Sequence, residues 1–199
     1  MKVITRRWIA LGAIAVLACI LAGGVVAAEF GGIGDPERLD AAVSSEPMVR
    51  VAEIAAIGDA PSRGVFAQLT STGHFCLWDA PSAVSPQRQG GCNSADDPLG
   101  GRELSVSFAY DGGPAVTKVR DARLIGIVSA EVADVQLLMN DGTTRKISLR
   151  NASIAAERYR AFGYRLKKVD LRSGVAPVAV LALDSGGREV DRQATGFAG

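Results

Sequence analysis

Val132-Ala133-Asp134-Val135-Gln136-Leu137-Leu138-Met139 runs into Asn140-Asp141-Gly142 and returns as Arg145-Lys146-Ile147-Ser148-Leu149. Val135, Leu137 and Met139 recur at period two, which places them on one face of a strand. Asn140-Asp141-Gly142 supplies residues that tolerate positive φ, as a tight hairpin requires. Ile147 and Leu149 then face inward on the return strand. This is the grammar of a half-buried β-hairpin.

The same grammar recurs on both sides. Val65 to Thr70 leads through Ser71-Thr72-Gly73 into His74 to Asp79, a second hairpin. In Ser105 to Tyr110, Val106, Phe108 and Tyr110 share one face, and Asp111-Gly112-Gly113-Pro114 ends the run. Leu124 to Val128 is a compact apolar run. Tyr164 to Val169 and Pro177 to Leu183 read as strands, and Asp184-Ser185-Gly186-Gly187 turns the chain into Arg188 to Asp191. Roughly eight or nine such strands predict a mainly β domain over residues 63–199, sandwich-like or a partly open barrel. Two segments fit less clearly. Met48 to Ile57 suits a helix or an entering strand, and the Ala, Glu and Arg content of Asn151 to Phe162 permits a helical insertion.

The amino terminus has a different texture. Met1 to Arg7 holds Lys2, Arg6 and Arg7 and no acid, and Trp8 to Ala28 is 21 residues without a charge. A helix of that length spans roughly 31 Å, the thickness of a bilayer's hydrocarbon core. Basic residues ahead of it hold residues 1–7 in the cytoplasm and send the rest outside, with Trp8 as the interfacial anchor. The span is longer than the apolar region of a cleaved signal, which favours a single uncleaved transmembrane helix over 8–28. Val26-Ala27-Ala28 still offers a cleavage site that would release a secreted form, and Leu17-Ala18-Cys19 has a faint lipoprotein look. Residues 29–62 read as a stalk with short helical content, opened by Asp35-Pro36-Glu37.

The whole chain carries 22 Lys+Arg and 21 Asp+Glu, a net charge of +1. Removing residues 1–28 leaves 19 basic and 21 acidic groups, a net charge of −2. Such a balance lacks the basic surface that displaces counterions from nucleic acid, and it lacks the high charge of a disordered chain. Cys76 and Cys92 are the only thiols beyond the apolar segment. Two cysteines in an oxidising compartment most simply form a disulfide, worth roughly 3 kcal/mol by the loop-entropy argument.

Catalytic and metal motifs are scarce. Thr72-Gly73-His74-Phe75-Cys76 and Asp184-Ser185-Gly186-Gly187 look like pieces of a trypsin-type protease, but Cys does not directly follow His, and Leu183 stands where Gly is expected. Only 12 residues follow Gly187, too few to build the substrate pocket. The turn reading accounts for Asp184 to Gly187 with less. His74 is the single histidine, no C-x-x-C spacing exists, and Asp96-Asp97 lacks the further oxygens of a calcium loop, so no cofactor or metal is expected. Arg165, Lys167 and Lys168, with Arg158, Arg160 and Arg172 nearby, form one basic cluster. It suits the solvated side of an edge strand, or contact with an anionic wall glycopolymer.

The segment Thr72-Gly73-His74-Phe75-Cys76-Leu77, the glycine-flanked Cys92, Leu124 to Val135 through Asp141-Gly142-Thr143, and Leu181 to Glu189 together resemble uncharacterised membrane-anchored or secreted proteins of actinobacteria. The likeness covers roughly residues 64–195. It implies a β-rich extracytoplasmic domain in a bacterial setting and carries no activity. The expectation is therefore a binding or structural module of the cell envelope, partnered by the bilayer through residues 8–28 and by an envelope protein or glycopolymer. A serine-type envelope hydrolase, or a sensor signalling through helix pairing at Gly23 and Gly24, is the alternative.

Overall fold

Leu124-Ile125-Gly126-Ile127-Val128 is apolar without alternation because the strand that carries it is covered on both faces. In the computed structural model, which describes residues 47–112, 119–154, 157–171 and 174–196, that strand belongs to a middle layer. The first sheet comprises β1 (Val49–Ile54), β2 (Arg63–Leu69), β3 (His74–Ala80) and β4 (Gln89–Ser94), in that order. The central sheet is built from β5 (Leu104–Gly112), β6 (Val119–Ser129), β9 (Arg150–Ile154) and β10 (Glu157–Arg165), in the order β5-β6-β10-β9. The third contains β7 (Asp134–Met139), β8 (Thr144–Ile147), β11 (Pro177–Leu183) and β12 (Glu189–Ala194), in the order β12-β11-β7-β8. All pairings are antiparallel and no sheet closes on itself. The fold is sandwich-like, with the central sheet shared between two cores.

Alternate residues of β6 serve the two cores. Leu124 and Val128 join Leu104, Val106 and Phe162 against Val135, Leu137, Met139, Ile147, Val180 and Ala182 of the third sheet. Ile125 and Ile127 join Tyr159 and Ala161 against Ile54, Val65, Ala67, Phe75 and Leu77 of the first. Each of these large aliphatic side chains contributes about 1.5–3 kcal/mol by leaving water. The quoted hairpin forms as its period demands: Val135, Leu137, Met139 and Ile147 are buried, and Val135 lies opposite Ile147. Gly126 and Gly163 are set by close approach. A Cβ on Gly126 would stand 2.3 Å from the Phe162 ring, and one on Gly163 2.6 Å from Ile54.

Ionic groups tie the first sheet to the central one. Asp79, fully buried on β3, accepts from Arg63 Nε and Arg123 Nε, each at 2.5 Å. Arg123 also bonds Asp121, which pairs at 2.9 Å with Arg165 Nε on β10. The chain Arg63–Asp79–Arg123–Asp121–Arg165 alternates in sign and crosses both layers. The Cys76–Cys92 disulfide is present between directly opposed residues of β3 and β4, with Cα atoms 4.0 Å apart. It fastens an edge strand, Gln89 to Ser94, that has no large apolar side chain of its own to hold it down.

Several expectations change. Met48 to Ile57 resolves as strand β1, which pairs with β2, so the β domain reaches back into the segment assigned to the stalk. Asn151 to Phe162 holds strands β9 and β10 rather than a helix, with residues 155–156 outside the described residues. Pairing to β6 on one side and β9 on the other outweighs the helical propensity of Ala, Glu and Arg. The strand expected over Tyr164 to Val169 stops at Arg165, because Asp170 closes a 3-10 turn over Lys168–Leu171 by bonding back to the Lys167 N–H. Trp8 and Ala28, with the whole apolar segment 8–28, lie outside the described residues. Among those described, no helix is long and apolar enough to cross a membrane.

Candidate functional site

β1 lies along β9 and β10, and β8 comes close to β10 from the third sheet, so three sheets meet at one place. A groove of about 490 Å³ opens there. Ala52, Glu53, Ala55 and Ile57 form one wall, and Gly163, Tyr164, Arg165 and Lys167 form the floor and rim. Lys146, Ser148 and Arg150 form the other wall. That wall follows from period two across the short β8–β9 connection: Lys146 of β8, Ser148 and Arg150 of β9 alternate with the inward residues Ile147 and Leu149, and all three are exposed. Gly163 lets β1 close on β10, so the groove has a firm base.

Its charge is one-sided. Lys146, Arg150, Arg165 and Lys167 line it against a single carboxylate, Glu53, which pairs with Arg50 at 3.6 Å. Lys146 sits 3.3 Å from Asp134 and is largely solvent-exposed, which leaves that pair weak. Arg150 and Lys167 are exposed and make no ion pair with any described residue. Tyr164 is half-buried at the floor. Its phenol is pushed up from its ordinary pKa by burial and by the Asp170 carboxylate, partly offset by Arg145, so it remains a neutral hydroxyl at physiological pH. Asp170 is itself buried, accepts from Arg145 Nε at 2.9 Å, and holds the Lys167 backbone on the rim at 3.1 Å.

Of the basic residues singled out in the sequence, the structure brings Arg165 and Lys167 into this groove but gives them different tasks. Arg165 is 5 % exposed and spent on the fold. Besides Asp121, it donates through Nη1 to the carbonyls of Ala55 at 2.8 Å and Ala60 at 3.1 Å. It thereby fixes the β1–β2 loop that makes one wall. It is a positioning residue, and the expectation that it lines the solvated side of an edge strand is corrected: β10 is an interior strand and Arg165 faces inward. Lys167 stands free on the rim. Lys168 is exposed on the following 3-10 turn and does not line the groove, and Arg172 lies outside the described residues. Lys146 and Arg150 were not singled out. Their shared face was visible in the alternation, but nothing local shows which strands it would meet.

The other candidates are dispersed. His74 Nδ1 bonds Thr72 Oγ1 at 3.1 Å at the start of β3, in the first sheet. Ser185 sits in the β11–β12 turn of the third, where Asp184 accepts from the Gly186 and Arg188 N–H groups as in an ordinary hairpin. Among the described residues, no group of three or more His, Cys, Asp or Glu side chains could hold a metal ion. Compared with known proteins, the chain matches no family model, no curated protein and no solved structure.

Proposed function

We propose that this chain is a membrane-anchored, extracytoplasmic binding module of the bacterial cell envelope that holds an anionic envelope glycopolymer in the groove between its three sheets. The observation that carries the reading is the pair Arg150 and Lys167, two exposed cations on opposite sides of a firm-based groove, with no carboxylate of the described chain to neutralise them. Phosphate groups of a polymer entering there would meet both cations and the Tyr164 hydroxyl, and the binding would weaken with salt as counterions compete. A body that is otherwise slightly acidic keeps such attraction local. The disulfide supports the oxidising side of a membrane, where such bridges persist.

The test is titration of the full-length chain in nanodiscs of uncharged lipid with polyglycerol phosphate as the probe. Saturable binding, weakened about tenfold by Arg150→Glu or Lys167→Glu and relieved by salt, is the expected outcome. Binding indifferent to both variants would overturn the groove. Stoichiometric labelling of Ser185 by a serine-reactive probe would instead favour the hydrolase.

A further inference from the structure

The floor of the groove is an open strand edge. Just past β10, the Leu166 N–H donates to the Ala122 carbonyl of β6 at 2.9 Å, so in the antiparallel ladder Tyr164 and Phe162 also turn their N–H and C=O groups to β6. The backbone groups of the alternate residues, Tyr159, Ala161, Gly163 and Arg165, therefore point to the opposite edge. β9 covers that edge only as far as Ala161, which pairs with Arg150. Immediately before Arg150, Leu149 packs against the core of the third sheet, which draws the chain off β10 and across to β8. No strand among the described residues pairs with β10 on that side at Gly163 or Arg165. Gly163 is half-buried and lines the groove, and having no side chain it presents backbone there.

Unpaired backbone donors and acceptors thus face a slot in line with β9. Lys146, Arg150 and Lys167 stand around it, and Ala52, Ala55 and Ile57 give it an apolar side. We infer that the groove takes an extended acidic peptide segment of an envelope protein as an added strand, antiparallel to β10 and continuing the line of β9. In such pairing the main chain supplies affinity and alternate side chains supply specificity. The surplus of cations selects carboxylates at alternate positions, and the apolar side selects small aliphatic residues between them. The edge is recessed between the first and third sheets, so a single extended chain reaches it and the sheet edge of a second folded copy does not. This goes beyond the polymer reading: peptide and polymer share Arg150 and Lys167 and so exclude each other, but only the peptide uses the strand edge.

The probe is a fluorescent hexapeptide alternating Glu and Val, titrated against the full-length chain in nanodiscs of uncharged lipid, with polyglycerol phosphate titrated in parallel. Two further versions carry N-methyl groups on one or the other set of alternate amides, with charge and side chains unchanged. Saturable binding of the plain peptide is expected, weakened about tenfold by Lys167→Glu. One methylated version should lose at least about tenfold and the other little, because alternate amides of an added strand face β10 and the rest face away. Hydrogen exchange at the Gly163 amide should slow when the plain peptide is bound. If the two methylated versions behave alike, or exchange at Gly163 does not change, the strand edge is not used and the inference falls. If the polymer binds and the plain peptide does not, the inference falls and the polymer reading stands. If the peptide behaves as expected and the polymer does not bind, the polymer reading falls and the inference stands.

Discussion

Asp79 shows how much a single buried carboxylate organises. It is fully buried and accepts from both Arg63 and Arg123, so it neutralises two guanidinium groups that would otherwise meet between sheets. A buried pair of this kind is not itself a large source of stability, because desolvation cancels much of the attraction. Breaking it is another matter. Asp79→Asn leaves Arg123 buried beside a neutral group, and the expected loss is about 3–5 kcal/mol, read as a shifted urea midpoint. A loss below about 1 kcal/mol would show that Asp121 alone suffices to hold Arg123. The same scale separates Arg165 from Lys167: two residues apart on the chain, one is consumed by two loop carbonyls and a carboxylate, and the other is left free on the rim.

The C-terminal strand β12 protects an edge. β5 ends the central sheet, and its outward backbone groups are taken by side chains of β12. Asp191 accepts from the Glu103 and Leu104 N–H groups at 3.1 and 3.0 Å and from Arg102. Gln193 both donates to the Val106 carbonyl and accepts from its N–H, each at 2.9 Å, as a paired strand would. An open edge is thereby closed against pairing with other chains. Burial opposes the Asp191 carboxylate, but Arg102 and the backbone N–H donors outweigh it and hold its pKa below the ordinary carboxylate value. A lowered pKa stabilises the fold at pH values above the unfolded-state pKa, and this is lost as pH falls through the folded-state value. Asp191→Asn is therefore expected to melt a few degrees below the parent at neutral pH, for a loss of about 1 kcal/mol. Melting curves taken down into the acid range should show the gap narrowing; a gap that widened on acidification would reverse the assignment.

For the whole molecule, two cores share one sheet, so the layers depend on each other. The proposed envelope role requires the β body to face outward. Protease added to intact cells is expected to degrade residues 47–196 while leaving cytoplasmic markers whole. A body protected until lysis would remove the envelope role.

The mainly β class was legible in Val132 to Leu149, because period two on a strand and Asn140-Asp141-Gly142 in a turn are local properties that neighbours do not alter. The Cys76–Cys92 bridge was equally legible, since no other thiol lies beyond the apolar segment. β1, β9 and the amino-terminal part of β10 were not. Their Ala, Arg and Glu suit a helix, and only pairing with β2 and β6 makes them strands. Half of the groove was hidden for the same reason: Lys167 stood in a visible basic cluster, but the segment of Lys146 and Arg150 and the strand of Glu53 are far from it and from each other in the chain. The amino-acid sequence by itself determined the strand and turn alphabet and the cross-link, which are decided over a few residues. Which strands share a sheet, which cations turn inward and where three sheet edges enclose a groove are decided by burial and pairing between distant segments, and only the tertiary structure settles those.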